Sequence, residues 1–200
     1  MKQLTTVLTV CVLLVFLAGC KGAQDNQIEY EKGILSSTGF ESEYLNLRFE
    51  VPDGFIMATE EEIFGMMSFG ADAVGVDRKS IDYARITTVY EMMVSAPEGT
   101  PNIIVMVEKL PQDNITLEQY FDAVLTQLSG LNYQFGEITS IELLGQSYQQ
   151  LISTHEMNGR ALSQKYMLRL IDDRVVGFIA TSTPDTEDEL DTLIQAFTNY

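Results

Sequence analysis

The chain is poor in the residue types that most often carry chemistry. Its 200 residues include two cysteines, one histidine and no tryptophan. Basic residues are scarce as well, because 12 lysines and arginines stand against 29 aspartates and glutamates, for a formal net charge of −17. A surface this acidic repels nucleic acids and anionic lipid headgroups. We therefore expect no nucleic-acid partner.

The common catalytic motifs are missing from the sequence too. It contains no Gly-x-Ser-x-Gly elbow and no phosphate-binding loop. The one histidine, His155, has no second histidine at the spacing of a zinc-binding helix. Because a general base needs a partner, we expect a solvent-facing or hydrogen-bonded histidine and no catalytic residue. An enzyme is disfavoured; a hydrolase whose residues meet only in space is the enzymatic alternative.

Both cysteines lie within the first 20 residues. Lys2 precedes an apolar run from Leu4 to Phe16, and Leu17-Ala18-Gly19-Cys20 follows. This order is typical of an export signal, and the run is shorter than the ~20 apolar residues that a membrane-spanning helix needs. The final four residues resemble the lipobox of bacterial lipoproteins, in which a peptidase cuts before the cysteine and the cysteine carries the lipid.

That resemblance implies cleavage between Gly19 and Cys20, acylation of Cys20 with palmitate-type chains, and anchoring on the extracytoplasmic face of the cell membrane. Two acyl chains would suffice for stable anchoring. An uncleaved membrane anchor and a secretory leader without lipid are the alternatives. Cys11 would be removed with the leader, so the mature domain would have no thiol for a disulfide, a nucleophile or a metal. Loss of Lys2 would bring the formal net charge from −17 to −18.

The remaining chain divides into a short tether and one domain. Residues 20–32 are polar and without sustained periodicity, which predicts a lipidated cysteine followed by a flexible tether. Residues 33–200 are long enough to bury one core without disulfides, and they contain no internal repeat. We therefore expect a signal peptide at 1–19, the tether at 20–32 and a single domain at 33–200.

Three helices and a run of strands are predicted within this domain. Thr59 to Glu62 and Thr116 to Gln119 have capping-box patterns, and Pro184 followed by acidic residues indicates a third helix start. The third helix should bury Leu190, Leu193, Ile194 and Phe197. Strands are expected at 44–51, 87–95, 102–110, 135–144, 147–157, 161–171 and 175–182. The last four should form an antiparallel meander, with Asn158-Gly159 as one hairpin turn. The fold class is α+β, an antiparallel sheet flanked by helices.

The opening of the domain has the pattern Tyr44-x-x-Leu47-x-Phe49-x-Val51-Pro52-x-Gly54-Phe55 before an acidic helix start. This segment resembles the opening of PsbP-like domains, and the later order of helix, strands and closing helix is similar as well. The resemblance implies an extracytoplasmic α/β/α sandwich with a binding or assembly role rather than an enzymatic one. Its motifs mark the fold, so they identify no ligand.

Several residue clusters could in principle bind a metal. Asp172-Asp173 fits a hairpin loop better than an acid–base pair. Acidic residues 185–191 lack the spacing of a calcium loop and fit a solvated helix start. Methionine thioethers suit Cu(I), but methionine also fills core gaps, which is the favoured interpretation. The methionines concerned are Met57, Met66, Met67, Met92, Met93 and Met106.

We therefore expect a membrane-anchored, non-enzymatic binding or assembly module without a cofactor, for a protein or envelope component. Its contacts would come from loops near Asn158-Gly159 and Arg78-Lys79, or from a groove between sheet and helix. The alternative is a small-molecule or copper carrier with an apolar, methionine-lined pocket.

Overall fold

The computed structural model describes residues 29–63, 65, 87–128, 133–157 and 159–200. Its fold is α+β and mostly antiparallel sheet, which confirms the expected class. The strands are β1 Ile34–Ser36, β2 Gly39–Ser42, β3 Leu47–Glu50, β4 Ile56–Met57, β5 Thr88–Ser95, β6 Asn102–Lys109, β7 Gln134–Phe135, β8 Thr139–Leu143, β9 Gln146–Met157, β10 Arg160–Ile171, β11 Arg174–Ser182 and β12 Phe197–Thr198. The helices are α1 Leu117–Leu128 and α2 Glu187–Gln195, with a 3-10 turn at Pro184–Thr186 and helical residues at 60–63 and 65.

A large antiparallel sheet forms the middle of the molecule, with strand order β4-β5-β6-β11-β10-β9-β7. β7 and β8 follow one another along the edge of β9 that β10 leaves free. The predicted meander of β8, β9, β10 and β11 is confirmed, because each strand pairs with the next. Met157 opposite Arg160 confirms a two-residue hairpin at 158–159.

The two faces of the large sheet bury different partners, and β6 shows the division. Ile104 and Met106 belong to a core cluster with Phe121 and Val124 of α1. Ile103, Val105 and Val107 belong to a second cluster on the opposite face. Alternate residues of a strand point to opposite faces, and an apolar residue at nearly every position indicates a strand covered on both sides.

A small second sheet covers the second face, together with α2. It has the strand order β1-β2-β3-β12, and it buries Phe40, Leu47, Phe49 and Phe197 against the large sheet. The β1–β2 hairpin and β12 escape the sequence prediction because they are only two to four residues long. We expected only helices on this face of the large sheet, but a second sheet covers it together with α2.

The helix starts confirm their predicted caps. At α1 the Thr116 hydroxyl accepts from the Gln119 N–H at 3.2 Å, and the Gln119 side chain accepts from the Thr116 N–H at 3.0 Å. Thr59 and Glu62 form the same reciprocal pair at 3.3 and 2.9 Å. These bonds satisfy N–H groups that the first helical turn leaves free.

The end of the last helix differs from the prediction. We expected Phe197 on the buried stripe of the third helix, but α2 ends at Gln195 and Phe197 begins β12. Phe197 pairs with Phe49 of β3, and the two ring centroids lie 4.5 Å apart. Leu190 and Leu193 are buried as expected. Phe197 therefore pairs with β3 as a strand residue and does not extend α2 by a further turn.

Residues 30–32, which we assigned to the tether from the sequence, contact the domain. The Tyr30 hydroxyl donates to the buried Glu91 carboxylate at 2.5 Å, and the Lys32 ammonium pairs with Glu60. The Tyr30 ring also lies 4.5 Å below the Arg174 guanidinium. Residues 30–32 are therefore part of the folded domain.

Candidate functional site

His155 differs from the expectation of a solvent-facing or hydrogen-bonded side chain. It lies near the end of β9 on the α1 face, and its ring centroid is 4.4 Å from that of Tyr133. Both ring nitrogens are inaccessible and have no hydrogen-bond partner. Burial lowers the pKa of His155 below its usual value, which favours the neutral ring. The geometry supplies none of the partners that a general base uses.

The described methionines fill the core, as expected. Met92, Met93 and Met106 are almost completely buried, and Met57 nearly so. Met57 and Met92 lie on the small-sheet face, whereas Met93 and Met106 lie on the α1 face. Because the large sheet separates the two pairs, these four thioethers cannot bind one copper ion. Met66 and Met67 lie outside the described residues.

The acidic candidates occupy the structural positions expected of them. Asp172 and Asp173 form the turn between β10 and β11, where Ile171 lies opposite Arg174. Glu187 begins α2 and accepts from the Lys165 ammonium and the Ser182 hydroxyl at 2.5 and 2.9 Å. No group of three metal-binding side chains converges anywhere in the described part of the chain.

The predicted contact loops are only partly described. Gly159 and Arg160 line a groove of about 550 Å³ with Thr183 and Glu189. Asn158, Arg78 and Lys79 lie outside the described residues, and so do the lipidation site Cys20 and its neighbour Gly19.

A second groove, which the sequence did not reveal, surrounds Arg169. It has a volume of about 360 Å³ and lies between the turn before β3, the β8–β9 turn and the end of β10. Arg169 Nη1 donates to the Gln146 side-chain oxygen at 3.1 Å, and its Cζ lies 5.3 Å from the Tyr148 ring centroid. The other lining residues are Tyr44, Leu45, Asn46, Leu47, Leu144, Leu170, Ile171, Asp172 and Asn199. We take this groove as the candidate binding site and call it the Arg169 groove.

The guanidinium of Arg169 is incompletely paired. Its Nε is inaccessible to solvent and has no hydrogen-bond partner. The cations Lys32, Arg48, Lys109, Lys165 and Arg174 each form an ion pair with a carboxylate. Within the described ranges Arg169 forms none, although Asp172 lines the same groove. A buried, unsatisfied donor costs about 1–3 kcal/mol.

Two tyrosines place phenol groups beside this charge. Burial raises the pKa of Tyr148, and the adjacent Arg169 guanidinium opposes that rise. Burial also raises the pKa of Tyr44, against the influence of Arg174 and Arg169. Both phenols therefore stay neutral near pH 7, where they can donate or accept hydrogen bonds without adding negative charge.

The groove wall includes a residue in an unfavourable backbone conformation. Leu144 and Gly145 form the two-residue turn between β8 and β9, with φ angles of 54° and 70°. Asn-Gly is the usual pair in such a turn, because both positions require positive φ. A leucine there costs about 1–2 kcal/mol relative to a relaxed conformation. Its side chain is partly buried against the small-sheet core and lines the groove.

Two carboxylates are buried in the large sheet away from the groove. Glu91 lies at a bulge of β5, and it accepts from the Tyr30 hydroxyl and, at 2.9 Å, from the Gly33 N–H. Glu108 of β6 accepts from the Tyr120 hydroxyl at 2.6 Å. Burial raises the pKa of both, to about 7 for Glu108. Among the described residues neither carboxylate forms an ion pair, so burial is the main influence on both pKa values.

The sequence does contain a hint of these missed groups. Glu91 is the single charge of β5, Glu108 follows five apolar residues of β6, and Arg169 interrupts the apolar run Tyr166-Met-Leu-Arg169-Leu-Ile171 of β10. Lys, Glu and Arg are rarely buried unless paired, so a charge at such a position indicates either an edge of the core or a partner. Sequence spacing alone does not say which.

No family model matches the sequence, and no curated protein matches it. Among solved structures, the solution structure of cyanobacterial PsbP (CyanoP) from Synechocystis is similar, with 15% identity and a TM-score of 0.48 over 92% of this chain and 99% of that chain. The crystal structure of LpqN, involved in cell envelope biogenesis of Mycobacterium tuberculosis, has 15% identity and a TM-score of 0.46, covering 76% of this chain and 82% of its own. Likenesses this weak say nothing about the ligand or partner.

Proposed function

We propose that this chain is a membrane-anchored extracytoplasmic lipoprotein that acts as a non-enzymatic binding module for a protein or another envelope component. The observation that carries the proposal is the Leu17-Ala18-Gly19-Cys20 sequence at the end of a short apolar run. In this proposal the lipid on Cys20 provides membrane retention, and the domain provides recognition.

The position of Tyr30 supports a short tether between Cys20 and the domain. Tyr30 already packs on the domain, so about ten residues separate it from Cys20. Fully extended, they would span roughly 33 Å at ~3.3 Å per residue. No helix in the described part of the chain is long and apolar enough to cross a membrane.

A binding role agrees better with the described side chains than catalysis or copper transport does. Among the described residues His155 has no hydrogen-bond partner, and neither of its ring nitrogens is exposed. The four buried methionines lie on two separate faces. By contrast, the Arg169 groove has a volume of about 360 Å³ and contains a half-buried guanidinium. Recognition of a ligand or partner is the function that such an arrangement performs.

Fractionation of cells that express the full chain tests the anchoring. We expect the wild-type protein in the membrane fraction and the Cys20→Ala variant, which has no acylation site, to lose membrane retention or to keep its leader. Cys11→Ala is the matched control, because it removes the other cysteine from the same leader. Metabolic labelling with a palmitate analogue should measure acylation of the wild type and of both variants.

The two variants separate the alternatives. Labelling that persists in Cys20→Ala, or equal membrane retention of unlabelled wild-type protein with its leader still attached, contradicts the proposal. Labelling lost in both variants would point to a general effect on export rather than to Cys20.

A further inference from the structure

We propose that residues 30–33 form a strap that the buried Glu91 holds on the domain at low pH and releases as the pH rises, which lengthens the tether to the membrane. The inference rests on the proposed lipid anchor and adds a regulation of its reach. The hydrogen bonds of the strap, its exposure and its place in the chain each support it.

The strap supplies the hydrogen bonds of the Glu91 carboxylate. One carboxylate oxygen accepts from the Tyr30 hydroxyl at 2.5 Å, and the other accepts from the Gly33 N–H at 2.9 Å. Among the described residues, Glu91 has no other donor. Since Glu91 is fully buried, these two groups take the place of water. Departure of the strap would return the carboxylate to water, where its charged form is well solvated.

The protonation of Glu91 is therefore coupled to the position of the strap. Burial raises the pKa of Glu91, against the lowering effects of the Tyr30 and Gly33 hydrogen bonds and of the Lys32 charge. Release of the strap would remove that burial, so the seated state binds the proton more tightly than the released state. Protonation stabilises the seated strap fully below about pH 4.5, and this contribution is lost as the pH rises through the raised pKa.

The other titratable and charged groups around the strap do not account for release between pH 5 and pH 8. Burial raises the pKa of Tyr30 and of Tyr44, which precedes β3, so both phenols stay neutral. Arg174, at the start of β11, lies over the Tyr30 ring, and lysine and arginine are cations throughout this range. The Lys32–Glu60 pair is largely exposed to solvent, so it contributes little to the seating of the strap.

The exposure of the strap allows it to leave without opening the core. Glu31 and Lys32 are exposed, Tyr30 is half-buried, and the next residue, Ile34, is 75% exposed. Segments that bury little apolar surface open locally at a low cost in free energy. Release of about four residues would add roughly 13 Å of extended chain to the tether, at ~3.3 Å per residue.

Hydrogen–deuterium exchange of the protein, as purified from cells that express the full chain, tests the strap. Protection factors, corrected for the intrinsic pH dependence of exchange, are compared at pH 5 and pH 8. We expect a peptide that includes residues 30–33 to lose at least about fivefold in protection at pH 8. Peptides of β10, in the middle of the large sheet, should lose less.

Two glutamate variants identify the titrating group. Glu91→Gln cannot ionise, so the protection of the strap should be equal at the two pH values. Glu108→Gln is the matched control, because Glu108 is also buried in the large sheet but accepts from Tyr120 of α1. The pH dependence of the strap should persist in Glu108→Gln.

A glycine variant tests the strap without changing Glu91. A Cβ at Gly33 would lie 2.4 Å from the Phe40 ring and 2.7 Å from the Glu41 backbone oxygen. Gly33→Ala should therefore unseat the strap and remove its protection at both pH values. Gly136→Ala is the matched control, because its Cβ would have an ordinary contact of 3.5 Å with the Ile152 oxygen. It should leave the strap protected at pH 5.

Energy transfer measures the change in reach. Ser37 is exposed in the turn between β1 and β2, so Ser37→Cys can carry a donor dye. The acylated protein is inserted into phosphatidylcholine vesicles that contain an acceptor-labelled lipid. Transfer should fall from pH 5 to pH 8, and it should stay constant when Glu91→Gln is added.

Four results would overturn the inference. They are equal protection of the wild-type strap at the two pH values, a pH dependence that persists in Glu91→Gln, its loss in Glu108→Gln, and energy transfer that does not change with pH. Failure here is distinct from failure of anchoring, because the strap of Cys20→Ala should show the same exchange as that of the wild type.

Discussion

At the residue scale, two carboxylates of the large sheet are buried without an ion-pair partner in the described part of the chain. Glu91 is 0% exposed and Glu108 is 3% exposed, and each keeps a tyrosine hydroxyl as a donor. Glu91 also accepts from the Gly33 N–H, but one or two hydrogen bonds do not replace the hydration of a charged carboxylate. Burial therefore raises the pKa of both carboxyl groups, and this makes the stability of the fold depend on pH.

Glu108 should make the protein less stable as the pH rises. Its pKa is about 7 in the folded state against 4.5 for the ordinary side chain. Because the folded state binds this proton more tightly than the unfolded state, protonated Glu108 stabilises the fold. This contribution is complete below about pH 4.5 and is lost as the pH rises towards 7. The difference corresponds to about 3 kcal/mol at most. Urea unfolding at pH 5 and pH 8 should show Glu108→Gln gaining up to that amount relative to wild type at the higher pH.

The exposed Glu98 gives the matched control for that measurement. Glu98→Gln, in the turn between β5 and β6, should leave stability within about 0.5 kcal/mol of wild type in both buffers. If Glu108→Gln also shows no pH-dependent gain, the buried carboxylate is not the titrating group.

Loss of the Tyr30 hydroxyl should destabilise the fold, although Tyr30 lies at the very start of the domain. Tyr30→Phe leaves the buried Glu91 with one donor fewer, which should cost about 1–3 kcal/mol. Tyr200→Phe removes a hydroxyl from a ring that is 53% exposed and should cost nothing measurable. Equal urea midpoints for Tyr30→Phe and wild type would mean that Tyr30 belongs to the tether after all.

At the element scale, local rules define the long strands and helix starts, and tertiary pairing defines the short strands. The capping boxes at Thr59 and Thr116 could be predicted because each involves residues only three apart. The meander could be predicted because its strands are long and its turns carry Gly or Asp. β1, β2 and β12 are too short for a periodic pattern. β1 pairs with β2 and β2 with β3, whereas β12 reaches β3 from the far end of the chain.

The cap of α1 can be tested by a single substitution. Thr116→Ala removes the acceptor for the Gln119 N–H and should cost about 1 kcal/mol. Asp122→Ala, on the exposed side of the same helix, should stay within about 0.5 kcal/mol of wild type. Thermal unfolding of both variants gives the comparison, and an equal effect would argue against the cap.

The small sheet also has a sensitive glycine. A Cβ at Gly39 would lie 2.3 Å from the Phe49 carbonyl oxygen, so Gly39→Ala must separate β2 from β3. We expect a loss of more than about 2 kcal/mol, the larger end of overpacking effects. At Gly136 the nearest atom is the Ile152 oxygen at 3.5 Å, an ordinary contact, so Gly136→Ala should be nearly neutral. Denaturant unfolding that shows equal stability of both variants would contradict the close approach of β2 to β3.

At the scale of the whole molecule, we propose a lipid anchor, a short tether and a domain in which Arg169 keeps a buried Nε without a hydrogen-bond partner among the described residues. The anchor was predicted from a local sequence, whereas the Arg169 groove required the structure. Its walls come from residues as far apart as Tyr44 and Asn199, which only the packing of the small sheet on the large one brings together. No spacing in the sequence could have indicated that set.

The intact mass of the protein extracted from membranes tests the central claim most directly, with a fragment spectrum of its first peptide. The account predicts a chain that begins at Cys20, lacks residues 1–19 and carries a diacylglyceryl group on the Cys20 sulfur. A chain that still begins at Met1, or one that begins at Cys20 with an unmodified thiol, would contradict it.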